Sequence, residues 1–168
     1  MARKPNSSSG IISSGEKANI TGNLLERFVE QILNQKGYNE FWDHKATAFA
    51  NRMAIGGRQY IKQLPCGLTI YDTPRKVDFF IINRDIFPED LIIECKWQQV
   101  SGSVDEKYPF LLFNIIKTGL PTVILLDGSG YKKAAMKWLK DQVHEKSALI
   151  GVWNMAEFQT KVNNGFLG

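Results

Sequence analysis

The chain has 168 residues, of which 43% are hydrophobic and 23% are charged, as expected for one globular domain that buries its own core. No apolar run approaches the length of a membrane-spanning helix, and the polar, Ser-rich segment 1–14 lacks the apolar region of a secretory signal. Cys66 and Cys95 lie far apart and indicate neither a disulfide framework nor a zinc site. These features favour a reducing, cytoplasmic setting.

Positive charge is concentrated in one part of the chain. Lys and Arg number 21 against 17 Asp and Glu, so the net charge is +4 and the isoelectric point is near 9.0. Between residues 45 and 76 the only acidic residue is Asp72, while the basic residues are Lys45, Arg52, Arg58, Lys62, Arg75 and Lys76. A basic stretch of this kind permits a nucleic-acid partner.

The first predicted element is an amphipathic helix. Residues 1–20 are poor in large apolar side chains and are predicted to form a flexible arm ahead of a single domain over residues 21–168. From Thr21 to Gly37, apolar residues recur at spacings of three and four, namely Leu24, Leu25, Phe28, Val29, Ile32 and Leu33. Thr21 can cap such a helix and Gly37 can end it.

Strands and helices then alternate. Residues 38–66 show little periodicity beyond a turn signal at Gly56-Gly57. Downstream, strands are predicted at 67–71, 77–83, 91–97, 122–126 and 148–153, and helices at 105–117, 131–143 and 155–162. The first three strands are expected to form an antiparallel meander. The order predicts an α/β domain with a central mixed sheet flanked by helices.

Three charged residues interrupt two of the apolar strands. Glu94 and Lys96 point to one face of their strand because side chains alternate, whereas Cys95 points to the other face as a small buried hydrophobe. If the strands pair as a hairpin across residues 84–90, Asp78 comes alongside Glu94. Two carboxylates at one place suit a hard divalent cation such as Mg²⁺. The alternative is a structural ion pair at a strand end, since burying unpaired charges is costly.

This pattern resembles the PD-(D/E)XK nuclease superfamily, which includes many restriction endonucleases and DNA repair nucleases. The matching motif is Val77-Asp78, fifteen residues, then Glu94-Cys95-Lys96, and Glu26 in GNLLERFVEQIL matches the acidic residue of the family's preceding helix. The family's order of helix, three strands, helix and strand matches residues 21–126. Val77 replaces the proline of the motif's name, a position that shapes the backbone and carries no chemistry.

The resemblance implies a restriction-endonuclease-like core, αβββαβ, with a C-terminal αβα extension, and metal-dependent hydrolysis of phosphodiesters. Asp78, Glu94 and the backbone carbonyl of Cys95 would hold Mg²⁺, while Lys96 would stabilise the phosphate charge or help deprotonate the attacking water. Glu26 would bind a second ion or an ion-held water. Gln98, two residues after Lys96, is a candidate for holding these catalytic groups in position.

The partner implied is double-stranded DNA, cut by a homodimer or higher homo-oligomer of the type II restriction kind. Candidate DNA contacts are the six basic residues between 45 and 76 together with Lys107, at the start of the second predicted helix. The alternatives are a Holliday-junction resolvase, a homing endonuclease, a catalytically silent DNA-binding module on the same fold, and a structural protein with a buried ion-pair network.

Overall fold

A computed structural model describes the backbone of residues 14–43, 45–99 and 105–168, and the side chains in these ranges from residue 24 onward except at 45 and 46. The helices are α1 (Ser14–Gln35), α2 (Lys45–Ala48), α3 (Lys107–Thr118), α4 (Lys133–Lys140) and α5 (Met155–Asn163), with one 3₁₀ turn at Arg52–Ala54. The strands are β1 (Asn39–Glu40), β2 (Gln59–Leu68), β3 (Pro74–Ile82), β4 (Leu91–Trp97), β5 (Thr122–Asp127) and β6 (Leu149–Trp153). The predicted α/β class is confirmed.

All six strands belong to one mixed sheet, in the order β1-β2-β3-β4-β5-β6. Strands β2, β3 and β4 form the predicted antiparallel meander, in which the β3–β4 hairpin closes across residues 83–90. Strands β5 and β6 run parallel to β4, because α3 and α4 carry the chain back between them. None of the helices in the described part of the chain is long and apolar enough to cross a membrane.

The first helix is longer than its apolar pattern indicates. It begins at Ser14, ahead of the predicted start at Thr21, so the backbone of residues 14–20 is helical where an arm was expected. The remainder of that arm, residues 1–13, lies outside the described residues. At the other end the helix stops as predicted, since Gly37 adopts a positive φ of 77° that terminates helices.

The strand predicted at residues 67–71 is wrong in its bounds. β2 occupies 59–68, and residues 69–73 form a turn in which Thr69 N–H donates to Thr73 O over 2.8 Å. The sequence does not predict a strand at 59–66 because Lys62, Gln63 and Pro65 interrupt its apolar residues. Pro65 is tolerated because β1 pairs only with residues 59 and 60, which leaves β2 as an edge strand along most of its length.

Helices cover both faces of the sheet. Alternate residues of the central strands point to opposite sides, so Phe79 and Ile93 face α1 and α5 while Phe80 and Ile92 face away from them. The α1 side is closed by Leu25, Val29, Leu33, Phe158 and Val162, and α3 and α4 close the other side with Leu112, Ile115 and Leu139. The central strands are therefore buried on both faces. Polar side chains of the central strands are expected where strands end or separate, because packing is less tight there.

Candidate active site

The site begins where β3 and β4 separate. The two strands are paired from Ile81 and Leu91 to Phe79 and Ile93, and beyond that pair Cys95 N–H donates to Asp78 Oδ2 over 2.8 Å. The carboxylate of Asp78 thus takes the place of a backbone acceptor in the opening between the strands. β4 continues to pair with β5 on its other edge, which keeps Glu94 and Lys96 in extended conformation.

The ammonium of Lys96 joins the groups that the sequence motif singled out. Its Nζ lies 3.0 Å from Asp78 Oδ2, 3.0 Å from Glu94 Oε2 and 3.1 Å from the backbone O of Cys95. The side chain of Cys95 packs on the α1 side of the sheet, as strand alternation predicts. Three oxygens from one motif therefore converge on a single cation.

Electrostatics keep this cluster ionised. Burial favours the neutral form of Lys96, but the Glu94 and Asp78 carboxylates outweigh it and raise the pKa of the ammonium above its usual range. Burial also pushes the pKa of Asp78 upward, and it is overcome by the Lys96 charge and the Cys95 N–H, so the pKa of Asp78 lies below its ordinary value. At neutral pH Lys96 is therefore charged and Asp78 is ionised.

Arg75 holds the second oxygen of Glu94. Its Nη2 donates to Glu94 Oε1 over 2.8 Å, and both side chains are only 5% exposed. The same guanidinium donates to the backbone O of Asn114 and to Thr118 Oγ1 on α3. This placement argues against the direct DNA contact that the sequence analysis expected of Arg75, because the fork of donors is already used inside the protein.

Helix α1 brings a third carboxylate toward the site. Glu26 follows the fully buried Leu25 and is itself half-buried, so burial is the main cause that raises the pKa of its carboxyl. The Asp78 carboxylate raises it further, and the Lys96 and Lys62 ammonium groups act in the opposite direction. Glu26 is thus within electrostatic range of both Asp78 and Lys96.

The donor set fits a hard cation that would stand where the Lys96 ammonium stands. Within the described residues no three His, Cys, Asp or Glu side chains already form a metal cage. The oxygens around the Lys96 ammonium come from only two side chains, Asp78 and Glu94, and from the backbone of Cys95. Carboxylate and carbonyl oxygens are the ligands that Mg²⁺ prefers.

Gln98 lies just beyond the end of β4 and is 2% exposed. Its side-chain amide donates to Asp105 Oδ1 and to Gly130 O, and it accepts from the Tyr108 hydroxyl. These bonds tie the exit of β4 to α3 and to the turn after β5. The supporting role predicted for Gln98 at the catalytic groups stays a prediction.

Sequence reasoning missed one neighbour of Asp78. Gln63 Nε2 donates to Asp78 Oδ1 over 3.2 Å from a residue of β2 whose φ is +53°. The irregular backbone turns this side chain toward the site. No sequence signal marks it, since a lone glutamine in an aperiodic segment is unremarkable.

Two of the predicted DNA-contacting residues lie at the opposite end of the sheet. Arg52 pairs with Asp90 at 3.4 Å, and Arg58 donates to the backbone O of Lys36. Asp90 stands at the start of β4, whereas Lys96 is near its end, a separation of about 20 Å along an extended strand. The side chain of Lys45 lies outside the described residues.

The other predicted DNA-contacting residues lie toward the cluster of Asp78, Glu94 and Lys96. Lys62 Nζ pairs with Glu30 at 2.7 Å and with Glu40 at 3.1 Å. Lys76 and Lys107 are exposed and line a cleft of about 330 Å³ that Glu94 and Lys96 also line. This cleft, between the β3–β4 opening and α3, is called the α3 cleft below. Contact with DNA stays a prediction for all of them.

A family model described as the PD-(D/E)XK nuclease superfamily domain matches residues 17–166. The chain belongs to this superfamily, and its sheet and helices form the restriction-endonuclease-like core that the sequence motif predicted. It is therefore a nuclease domain, a class of protein that acts on nucleic acid. Comparisons with curated proteins and with solved structures give no match.

Proposed function

We propose that the protein is a Mg²⁺-dependent endonuclease that hydrolyses double-stranded DNA, most like a type II restriction enzyme. The observation that carries this proposal is the convergence of Asp78 Oδ2, Glu94 Oε2 and Cys95 O within 3.1 Å of a single cation, the Lys96 ammonium. Two carboxylates and a backbone carbonyl are oxygen donors of the types that Mg²⁺ takes in proteins. They belong to the sequence motif of the superfamily that the chain matches, which favours a metal site over a structural ion-pair network.

In this proposal Asp78, Glu94 and the Cys95 carbonyl hold the ion. Bound Mg²⁺ would lower the pKa of a water molecule and neutralise charge on the phosphate oxygens. Lys96, once its carboxylate partners are engaged, directs its ammonium to a phosphate oxygen. Glu26 would bind a second ion or an ion-held water from α1, a role supported by its place within electrostatic range of Asp78 and Lys96.

The DNA substrate is supported by the charge around the α3 cleft, where Lys76 and Lys107 are exposed beside the catalytic groups. A double-strand break requires two active sites facing two antiparallel strands, so the active form is proposed to be a symmetric homodimer. Sedimentation of the protein with DNA tests the homodimer. Cleavage of DNA by a protein that binds it only as a monomer would contradict the homodimer. The proposal includes a cytoplasmic setting, since Cys66 and Cys95 are both unpaired thiols.

The decisive experiment compares cleavage of long duplex DNA with Mg²⁺ and with EDTA. Lys96→Ala and Asp78→Asn are expected to abolish Mg²⁺-dependent cleavage, whereas Lys146→Ala, at an exposed position in the turn after α4, cuts like the parent. Far-UV circular dichroism of each variant controls for folding. Parental cleavage by either site variant would remove this site from consideration.

The pattern of cleavage products shows which kind of DNA is the substrate. Discrete fragments indicate a sequence-specific enzyme, and their ends identify the target. Faster cutting of four-way junctions than of linear duplex would replace the restriction-type assignment with a resolvase. Salt-dependent DNA binding without cleavage of any substrate would overturn the enzymatic proposal in favour of a silent binding module.

A further inference from the structure

A pair of stacked aromatic rings, one exposed and one half-buried, stands at the rim of the α3 cleft. Tyr71, in the turn between β2 and β3, is 72% exposed and stacks on Phe110 of α3 with ring centroids 5.2 Å apart and planes at 23°. Phe110 lines the cleft. Because Phe110 covers one face of the tyrosine ring and most of the side chain remains exposed, the other face is accessible from solvent.

The turn that carries Tyr71 is held on both sides of the residue. Ile70 N–H donates to Asn114 Oδ1 over 2.8 Å, and Lys117 Nζ bonds to Thr69 O at 2.9 Å and to Asp72 Oδ1 at 2.7 Å. The Thr69 and Thr73 hydroxyls close the base of the turn at 2.7 Å. An exposed ring on a clamped turn loses little conformational entropy when it binds a flat partner.

The position of the pair relative to the catalytic groups is set by β3. Pro74 starts the strand directly after the turn, and Asp78 lies four residues further, about 13 Å along an extended chain. Between them the cleft is bordered by the exposed ammonium groups of Lys76 and Lys107. A strand of nucleic acid laid from Asp78 to Tyr71 would meet positive charge along its phosphates and an aromatic face a few nucleotides from the cut.

We propose that Tyr71 and Phe110 form a stacking platform for one unpaired nucleobase of the substrate. The inference rests on the proposed function and narrows its substrate class to DNA with an unpaired base a few nucleotides from the scissile phosphate, whether in a single-stranded stretch or turned out of the duplex. A base inside a continuous duplex has both faces covered by its neighbours, so it cannot stack on a protein ring. Base stacking on aromatic side chains recognises any base.

The test measures binding in EDTA, so that it does not depend on cleavage. A duplex with a short single-stranded gap that contains 2-aminopurine is titrated with the parent, Tyr71→Leu and Tyr71→Phe, and a fully paired duplex of the same sequence is titrated in parallel. Leucine keeps apolar area without a π face, and phenylalanine keeps the ring. Trp138→Leu, which removes an exposed aromatic from α4, is the matched control.

The expected result is quenching of 2-aminopurine by the parent and by Tyr71→Phe. Tyr71→Leu is expected to lose the quenching and to bind the gapped DNA about 5- to 100-fold more weakly. Its affinity for the paired duplex is expected to fall by a smaller factor, because there the gain from stacking is offset by the cost of turning a base out of the duplex. Trp138→Leu is expected to bind and quench like the parent, because α4 is not part of the platform.

Several outcomes would overturn the platform. It fails if Tyr71→Leu binds gapped DNA as tightly as the parent, or if Tyr71→Phe loses as much affinity as Tyr71→Leu. Cleavage of DNA by the parent without any quenching would overturn the platform and leave the nuclease proposal standing. Quenching without Mg²⁺-dependent cleavage would overturn the nuclease proposal and leave the platform standing.

Discussion

Arg75 and Glu94 form a buried ion pair in which the guanidinium Nη2 lies 2.8 Å from Glu94 Oε1. The other carboxylate oxygen, Oε2, is 3.0 Å from Lys96 Nζ. Glu94 therefore presents one oxygen to the opening between β3 and β4, while the other is bound by Arg75, which also bonds to α3. The orientation of this carboxylate depends on packing between β3 and α3 as well as on β4.

Removing the guanidinium is expected to destabilise the fold. Arg75→Met leaves Glu94 Oε1 buried without its main partner, and breaking a buried ion pair in this way costs about 3–5 kcal/mol. The free energy of unfolding in urea measures the loss. Arg75→Lys keeps the charge but loses the fork of donors, so it should fall between Arg75→Met and the parent. A cost below about 1 kcal/mol for Arg75→Met would show that the pair contributes little.

The Lys96 ammonium and Mg²⁺ are expected to compete for one position. In Lys96→Met the Asp78 and Glu94 carboxylates lose their shared cation and repel each other, so a divalent ion binds there without displacing a charge. Mg²⁺ should therefore raise the melting temperature of Lys96→Met more than that of the parent, with EDTA as reference. Lys140→Met, which removes the exposed partner of Glu157, should respond like the parent. Equal Mg²⁺ effects in all three proteins would contradict a shared cation position.

Glu26→Gln is expected to stabilise the protein and weaken its activity. Burial, followed by the Asp78 charge, raises the pKa of Glu26 above its ordinary 4.5, so the folded state binds this proton more tightly than the unfolded state. The resulting stability is fully present below pH 4.5 and is lost as pH rises through the raised pKa. The gain in melting temperature from Glu26→Gln should therefore be largest at neutral pH and shrink on acidification.

The matched control for this prediction is Glu30→Gln, one turn further along α1. Glu30 pairs with Lys62 at 2.7 Å, so its replacement removes a favourable contact and should give no stabilisation. A melting temperature for Glu26→Gln that is lower than that of the parent at pH 7 would contradict the assignment of Glu26 as a carboxylate held at an electrostatic cost.

Replacing Gly128, in the turn after β5, is expected to destabilise the fold because this glycine packs against the backbone of Gln98 just after β4. Its φ is +101°, and a Cβ at this position would overlap the carbonyl oxygen of Gln98. Gly128→Ala should cost about 1–3 kcal/mol in urea unfolding, because the backbone around Gln98 has to shift. Gly56→Ala is the control, since a Cβ there meets no atom within 4 Å. Equal stability of the two variants would contradict the close approach.

The sequence alone was sufficient for the features that depend on local periodicity and spacing. The apolar spacing predicts the helix that carries Glu26, and the alternation along β4 predicts that Glu94 and Lys96 share a face opposite Cys95. The hairpin length predicts that Asp78 reaches them. These inferences hold because strand and helix geometry repeat over a few residues, and the burial of both sheet faces leaves little freedom in register.

Only the tertiary structure decided what surrounds those residues. Arg75 has the sequence context of a surface cation, yet it is buried because α3, some forty residues later, supplies Asn114 O and Thr118 as partners. The Gln63–Asp78 hydrogen bond and the stacking of Tyr71 on Phe110 likewise join segments that lie far apart in the sequence, and they do not follow from local periodicity. Such contacts are set by how whole elements pack, and periodicity within a single element carries no information about them.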